Sequence, residues 1–180
     1  AISCSDHRLA IDPRDAEAWY NKGAALDALG RREEAIKCLD QALAIDRRIA
    51  VAWNNKGIAL KGLGRREEAI NCYDQALAIN PRYAAAWTNK GIALSNLGRR
   101  EEAINCYDQA LAIDPRDAEA WNGKGLALNN LDRCEEAIGC YDRSLTLDPR
   151  GAAAWYNKGN ALDDLDRHEE AINCYDQALA

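Results

Sequence analysis

A single interval of 34 residues organises the whole sequence. The five Trp keep this spacing at Trp19, Trp53, Trp87, Trp121 and Trp155. A Gly follows each Trp by four residues, and six of the seven Cys recur at the same interval. Self-similarity at a period of roughly 20 to 50 residues is typical of arrays of stacked repeats. The chain is therefore expected to consist of copies of one small unit.

Each unit contains two helical patterns, which the first unit shows at residues 16–29 and 33–45. Leu-Gly-Arg-Arg-Glu joins the two helices of a unit, and Asp-Pro-Arg joins most units to the next. Proline cannot continue a helix interior, so it predicts a clean stop at each joint. Arg47 stands where the other joints have Pro, and we expect that joint to be less sharply broken. The segment GRREEAINCYDQALAI occurs twice, at 64–79 and 98–113, which either recent duplication or consensus-style design would produce.

Composition argues against several classes of function. The chain has 29 acidic and 23 basic residues, whereas a protein that binds nucleic acid normally carries a basic face. No apolar run approaches the ~20 residues of a membrane span. With two His, no nucleophile–base pair, no phosphate loop and no third ligand for a metal, we expect neither an enzyme nor a cofactor or metal site.

A Trp, a Gly four residues later and then Ala, Tyr, Ala and Pro at fixed offsets resemble the tetratricopeptide repeat, or TPR. The second unit carries this pattern at Trp53, Gly57, Ala69, Tyr73, Ala76 and Pro81. The resemblance implies an all-α fold, a right-handed α-solenoid of antiparallel helix pairs. It predicts repeats at 16–49, 50–83, 84–117, 118–151 and 152–180, with residues 1–15 as the second helix and joint of a partial preceding repeat.

Helical residues advance by about 100° each, so the first helix of a repeat has two distinct faces. Trp53, Gly57 and Leu60 share the packing face. Val51, Asn55, Ile58 and Gly62 lie roughly opposite, and the resemblance implies that this second face lines a concave groove for a ligand. The chain is thus expected to be a protein-interaction scaffold that binds a peptide or protein segment.

Asparagine recurs two residues after the Trp, on the groove side, at Asn21, Asn55, Asn89 and Asn157, and Gly123 interrupts the series. A primary amide can donate to and accept from one peptide group, so spaced amides could grip an extended ligand backbone. The alternative is that Asn is simply common at this position and binds water.

Residues that vary between units are candidates for side-chain contacts to the ligand. One residue after the Trp stand Tyr20, Asn54, Thr88, Asn122 and Tyr156, and Ile58, Ile92 and Leu126 make the middle of the groove apolar. Its charged candidates are Glu17, Asp27, Glu119, Asp163 and Asp164, against Lys61 alone. A ligand with apolar side chains and basic flanks is expected, unless these carboxylates only keep the surface soluble.

A Lys follows each Trp by three residues and falls on the flank of the packing face, at Lys22, Lys56, Lys90, Lys124 and Lys158. Five identical positions favour a structural role over a reactive lysine. The expected partners are the equally periodic Asp40, Asp74, Asp108, Asp142 and Asp176.

The periodic cysteines are expected to be buried, unpaired and one repeat apart, which is beyond disulfide reach. Unpaired thiols favour a reducing compartment, so we expect a cytoplasmic protein.

The C-terminal end carries an apolar surface at Ile172, Tyr175 and Leu179, without a following helix in this sequence to cover it. Repeat arrays need polar terminal faces, so this surface could support a homo-oligomer through a two-fold contact. We expect instead that the sequence is cut from a longer array.

Overall fold

The computed structural model describes residues 2–179 as helices and short joints, with no strand in that range. Ala1 and Ala180, the outer limits of the first and last predicted ranges, lie outside the described residues. The helices are α1 (Ile2–Ile11), α2 (Ala16–Ala28), α3 (Arg32–Ile45), α4 (Ala50–Gly62), α5 (Arg66–Ile79), α6 (Ala84–Ser95), α7 (Arg100–Ile113), α8 (Ala118–Asn129), α9 (Cys134–Leu147), α10 (Ala152–Asp163) and α11 (His168–Leu179). The all-α solenoid class is confirmed, and the two helices predicted for the first unit each differ by one residue at one end.

The chain forms two compact units, Ala1–Ala93 and Leu94–Ala180. In the first unit, α2 packs on α3, α4 packs on both α3 and α5, and α1 packs on α2. In the second unit, α8 packs on α7 and α9, and α10 packs on α9 and α11. We call α2, α4, α6, α8 and α10 the first helices and the others the second helices.

Glycine four residues after the Trp lets the two helices of a repeat approach closely. A Cβ atom on Gly57 would lie 2.5 Å from Cε1 of Tyr73, whose side chain is fully buried. Gly125 and Gly159 face Tyr141 and Tyr175 in the same way. Because these glycines lack a side chain, they leave the space that the tyrosine ring of the second helix occupies.

The indole of every periodic Trp donates a hydrogen bond from Nε1 to the carbonyl oxygen six residues earlier, at 3.0 Å. Four of these carbonyls belong to the joint prolines, and the fifth belongs to Arg47. Because the acceptor is a backbone carbonyl, the hydrogen bond also forms at the joint where Arg47 replaces proline.

The expectation of a less sharply broken joint at Arg47 is wrong. The preceding helix ends at Ile45, one residue before Asp46, and α1, α5, α7 and α9 likewise end directly before an Asp or Asn. The Asp46 side chain accepts from the backbone N–H of Arg48 at 2.8 Å, and Asn80, Asp114 and Asp148 make the same turn. This side-chain turn, which competes with helix continuation, ends the helix without proline.

A residue in the left-handed backbone region follows each first helix, two or three residues after the last helical residue. Gly30, Gly64 and Gly98 occupy this position with φ near 75°. Asp132 and Asp166 take it with φ of 57° and 58°. Glycine adopts this conformation without a steric cost, whereas Asp adopts it with some strain.

Candidate functional site

First helices of successive repeats lie side by side, α2 beside α4 in the first compact unit and α8 beside α10 in the second. We call the surface that the first helices of one unit present, away from the second helices, the first-helix face of that unit. The four asparagines predicted to form a ladder are partly exposed on these helices, at Asn21, Asn55, Asn89 and Asn157. Ile58 and Ile92 are also partly exposed, and Leu126 is exposed.

In the first unit the amides form a connected chain of hydrogen bonds. Nζ of Lys61 donates to Oδ1 of Asn89 at 3.4 Å, and Nδ2 of Asn89 donates to Oδ1 of Asn54 at 3.2 Å. Nδ2 of Asn54 then donates to Oδ1 of Asn55 at 3.4 Å. These contacts cross from α6 to α4 and orient the Asn55 amide. Its two N–H donors have no acceptor among the described residues.

The second unit repeats one step of this arrangement. Nδ2 of Asn157 donates to Oδ1 of Asn122 at 3.1 Å, between α10 and α8. The ladder position is Gly123 on α8, and a Cβ there would lie 2.7 Å from Cζ of Tyr107. Gly123 thus interrupts the ladder where the ring of Tyr107 occupies the space an asparagine side chain would need.

The residues directly after the Trp do not behave as one exposed set. Asn54 and Thr88 are buried, with 3% and 4% of their surface exposed, and so offer little area to a ligand. Tyr20 packs against the core around Leu39 and Leu43. Asn54 instead accepts a hydrogen bond from Asn89 of the next repeat. Tyr156 is exposed and Asn122 is partly exposed.

The sequence analysis did not predict the Asn–Asn hydrogen bonds between first helices of neighbouring repeats, although the spacing of the asparagines indicates them. Asn54 and Asn89 are 35 residues apart, as are Asn122 and Asn157. In both cases an Asn one residue after a Trp is followed, in the next unit, by an Asn two residues after its Trp. The offset of 35 residues, rather than the period of 34, identifies the bonded pair.

Most of the predicted acidic groove residues have partner side chains within residues 2–179. Four of the five do so: Glu17 with Arg8, Asp27 with Arg32, Asp163 with His168, and Asp164 with Asn129. Arginine side chains offset the charge of Glu17 and Asp27, whereas Asn129 is a neutral partner and leaves the charge of Asp164 in place.

Four of the five periodic lysines pair with a predicted Asp, and in each pair the Asp belongs to the preceding repeat. Nζ of Lys56 lies 2.6 Å from Oδ1 of Asp40, which belongs to the preceding repeat. The same contact joins Lys90 to Asp74, Lys124 to Asp108 and Lys158 to Asp142, while Lys22 pairs with Asp6. Each ammonium also lies 5.5 to 5.8 Å from a Trp ring centroid, a cation–π distance. These contacts link neighbouring helices, as the expected structural role of the lysines requires.

The cysteines show no sign of nucleophile activation. None of the seven, all within the described range, forms a disulfide, and six are buried while Cys4 is exposed. The expectation of burial therefore fails for Cys4. Burial raises the pKa of Cys72 to about 11, and it raises the pKa of Cys38, Cys140 and Cys174 as well. These thiols remain protonated near neutral pH, and protonated thiols are poor nucleophiles.

Residues 2–179 contain no cluster of three or more metal-ligating side chains. No helix in the same range has both the length and the apolar character that crossing a membrane requires.

Three family models match the sequence, and each describes a tetratricopeptide repeat. They cover residues 14–82 and 48–116, residues 88–149, and residues 152–180. A comparison with curated proteins gives no significant match.

Solved structures of similar fold include YrrB, described as a TPR protein with an unusual peptide-binding site. It is 23% identical over 99% of this chain and 92% of its own, with a TM-score of 0.79. Pseudomonas aeruginosa pilF is 23% identical over 93% of this chain and 78% of its own, with a TM-score of 0.84. A MamA fragment from Desulfovibrio magneticus RS-1 is 24% identical, covers 91% of this chain and 93% of its own, and has a TM-score of 0.82. At these identities the likeness concerns the fold.

Proposed function

The chain belongs to the tetratricopeptide repeat family, a family of protein-interaction scaffolds, and from this premise we propose that it binds an extended peptide segment on its first-helix face. Asn55 carries the proposal, because its amide is held in place while both of its N–H donors remain available. Asn21 and Asn89 are the other proposed backbone contacts in the first unit, and Asn157 is the proposed backbone contact on the face of the second unit. Ile58 and Ile92 in the first unit, and Leu126 in the second, are proposed to contact apolar side chains of the ligand.

The hydrogen-bond chain supports this proposal because it fixes one amide before a ligand arrives. Binding usually costs free energy for ordering the side chains that make the contacts. An amide already bonded through Asn54 to Asn89 avoids part of that cost. Each hydrogen bond contributes ~1 kcal/mol net, so two bonds from Asn55 amount to ~2 kcal/mol, or about thirtyfold in Kd.

The proposal includes the absence of catalysis. Six of the seven thiols are buried and the five periodic lysines are held in ion pairs, and neither state favours nucleophilic attack. A peptide partner with apolar side chains fits the partly exposed Ile58 and Ile92, while two of the five predicted groove carboxylates, Glu17 and Asp27, are already paired with arginines.

A peptide-library screen followed by matched variants tests the proposal. The best peptide is titrated by calorimetry into the wild-type chain, Asn55→Ala and Asn71→Ala. Asn71 is exposed on second helix α5, so its replacement removes the same amide from a different surface. We expect a Kd about thirtyfold weaker for Asn55→Ala and unchanged for Asn71→Ala. Equal affinities for all three proteins would refute a grip through Asn55.

A second candidate function is assembly through the C-terminal helix. Ile172 and Leu179 are 58% and 87% exposed, which is unusual for large apolar side chains on a repeat helix. Light scattering over a concentration series tests self-association. A strict monomer at high concentration would restrict assembly to contacts with other proteins.

A further inference from the structure

The joints before α4 and α6, residues 46–49 and 80–83, carry a positive charge that the other joints lack. Together they contain three Arg and one Asp, whereas the joints before α8 and α10, residues 114–117 and 148–151, contain two Arg and three Asp. The chain as a whole has a formal net charge of -6. The positive charge is therefore local to the first unit, and we call Arg47, Arg48 and Arg82 the arginine edge.

Departures from the repeat pattern produce this charge. Asp15 and Asp117 cap the N-termini of α2 and α8 with their side chains. The residues at the same position are Ile49 before α4 and Tyr83 before α6. Two carboxylates that would stand beside the arginines are thus missing, and Arg47 adds a charge where the other joints have proline.

The arginine edge is exposed, and its guanidinium groups have no ion-pair or hydrogen-bond partner among residues 2–179. The predicted groove carboxylates of the same unit are in the opposite state. Arg8 binds Glu17 at 2.9 Å, and Nε of Arg32 lies 3.9 Å from Oδ1 of Asp27. The charge available to a ligand at this edge is therefore positive, and it favours an acidic residue over a basic one.

Backbone contacts fix the path of the chain at each of these arginines. Nε1 of Trp53 donates to the carbonyl oxygen of Arg47 at 3.0 Å. The backbone N–H groups of Arg48 and Arg82 donate to the side chains two residues earlier, at 2.8 and 3.1 Å. The arginine side chains therefore extend from a backbone that is already ordered.

The first helices bring the two joints to the same edge of the first unit. Helices α4 and α6 lie side by side, since Nδ2 of Asn89 on α6 donates to Oδ1 of Asn54 on α4. Each of these asparagines lies about one turn after the start of its helix, so the two helices begin at the same level. Arg48 and Arg82 each precede the start of a helix by two residues. Neighbouring helices are ~8–10 Å apart, which is also the approximate separation of these two arginine backbones.

We propose that the peptide on the first-helix face of the first unit carries two acidic side chains, two residues apart, that bind the arginine edge. The inference rests on the proposed function, in which Asn21, Asn55 and Asn89 contact a backbone that crosses α2, α4 and α6. In an extended segment the side chains at i and i+2 point to the same side and are about 7 Å apart. Two such carboxylates match Arg48 and Arg82, whose long side chains span the remaining difference.

A carboxylate-bearing peptide fits this edge better than a nucleic acid does. Arginine binds a carboxylate through two parallel N–H groups, as Arg31 and Arg65 bind Glu34 and Glu68 at 2.6 to 2.7 Å. A protein that binds nucleic acid normally carries a wide basic face. The arginine edge is confined to two joints of an acidic chain, so it suits a short acidic segment rather than a long polyanion.

Peptide libraries that differ only in charge test the proposal with the full chain. Displayed decapeptides with a central Glu-x-Glu and random residues elsewhere are screened beside libraries with Gln-x-Gln and Lys-x-Lys. We expect binders from the Glu library. By fluorescence anisotropy, the selected peptide should bind about tenfold more tightly than its own Gln-x-Gln copy, which is the difference for two exposed ion pairs. This difference should decrease with added salt.

Matched variants assign the preference to the arginine edge. Arg82→Gln should weaken the Glu peptide about threefold and leave its Gln copy unchanged. Arg116→Gln is the control, because Arg116 is the equivalent residue of the next joint and its N–H makes the same turn with Asp114. Its affinity for both peptides should equal that of the wild-type chain. Arg48→Gln combined with Arg82→Gln should abolish most of the preference for the Glu peptide.

Failure of this inference and failure of the proposed function give different results. Affinities that respond to Asn55→Ala but to neither Arg48→Gln nor Arg82→Gln would overturn the inference and leave the proposed function standing. Affinities that respond to the arginine variants but not to Asn55→Ala would refute the Asn55 contact and leave the acidic preference standing. Equal affinity for the Glu and Gln peptides, an equal loss with Arg116→Gln, or tighter arginine-dependent binding of a single-stranded oligonucleotide would each overturn the inference.

Discussion

Replacing Gly57 with Ala should destabilise the protein even though alanine favours helices. Alanine in a helix interior is ~1 kcal/mol more favourable than glycine. The new Cβ would lie 2.5 Å from Cε1 and 2.8 Å from Cδ1 of Tyr73, a ring with no exposed surface to move into. Overpacking of this kind costs ~1–3 kcal/mol. Because the contact is well below van der Waals distance, the upper half of that range applies and the net loss is about 1–2 kcal/mol.

Gly139 supplies the matched control on second helix α9. A Cβ there has no heavy atom within 4 Å, so Gly139→Ala should gain ~1 kcal/mol from helix propensity alone. The two variants are compared by urea unfolding, followed by both circular dichroism and Trp fluorescence, because repeat arrays can unfold in parts. A Gly57→Ala variant as stable as Gly139→Ala would refute the close packing of α4 on α5.

Three further predictions concern the loops, the ion pairs and the thiols. Asp132→Gly should raise the free energy of unfolding by ~1 kcal/mol, measured by urea denaturation, because glycine adopts the observed φ of 57° without strain. A double-mutant cycle with Lys56→Met and Asp40→Asn should give a coupling of about 0.5–1 kcal/mol that falls with added salt, since the Asp40 side chain is 48% exposed. A thiol reagent at pH 8 should modify Cys4 first and Cys72 only after unfolding. The raised pKa of about 11 keeps Cys72 protonated at that pH, and its reactivity should increase as the pH approaches 11.

The helix pairs and their packing faces could be predicted because the repeats are nearly identical. Trp53 and Gly57 recur in every unit, so helical spacing alone placed them on the packing face. The periodic Lys and Asp were recognised as partners in the same way. Their pairing between a Lys and the Asp of the preceding repeat required the structure, since the period of 34 residues does not show which unit supplies which partner.

The role of the residues directly after the Trp could not be predicted from one helix. A helical wheel orders side chains around a single axis, whereas Asn54 is buried by a neighbouring first helix and bonded to Asn89. Variation between units suggested ligand specificity at this position. In the first unit these side chains instead make contacts within the protein. Asn54 accepts a hydrogen bond from Asn89, and Tyr20 packs on the core.

The most direct test of peptide binding on the first-helix face is a side-chain amide NMR spectrum of ¹⁵N-labelled chain, titrated with the peptide selected from the library. Asn55 donates both N–H groups to the ligand in our account, so its Nδ2 resonances should shift at saturation. Those of Asn71, on the opposite helix type, should stay in place. Unchanged Asn55 resonances in the saturated complex, with shifts confined to the second helices or to α11, would contradict the proposed site.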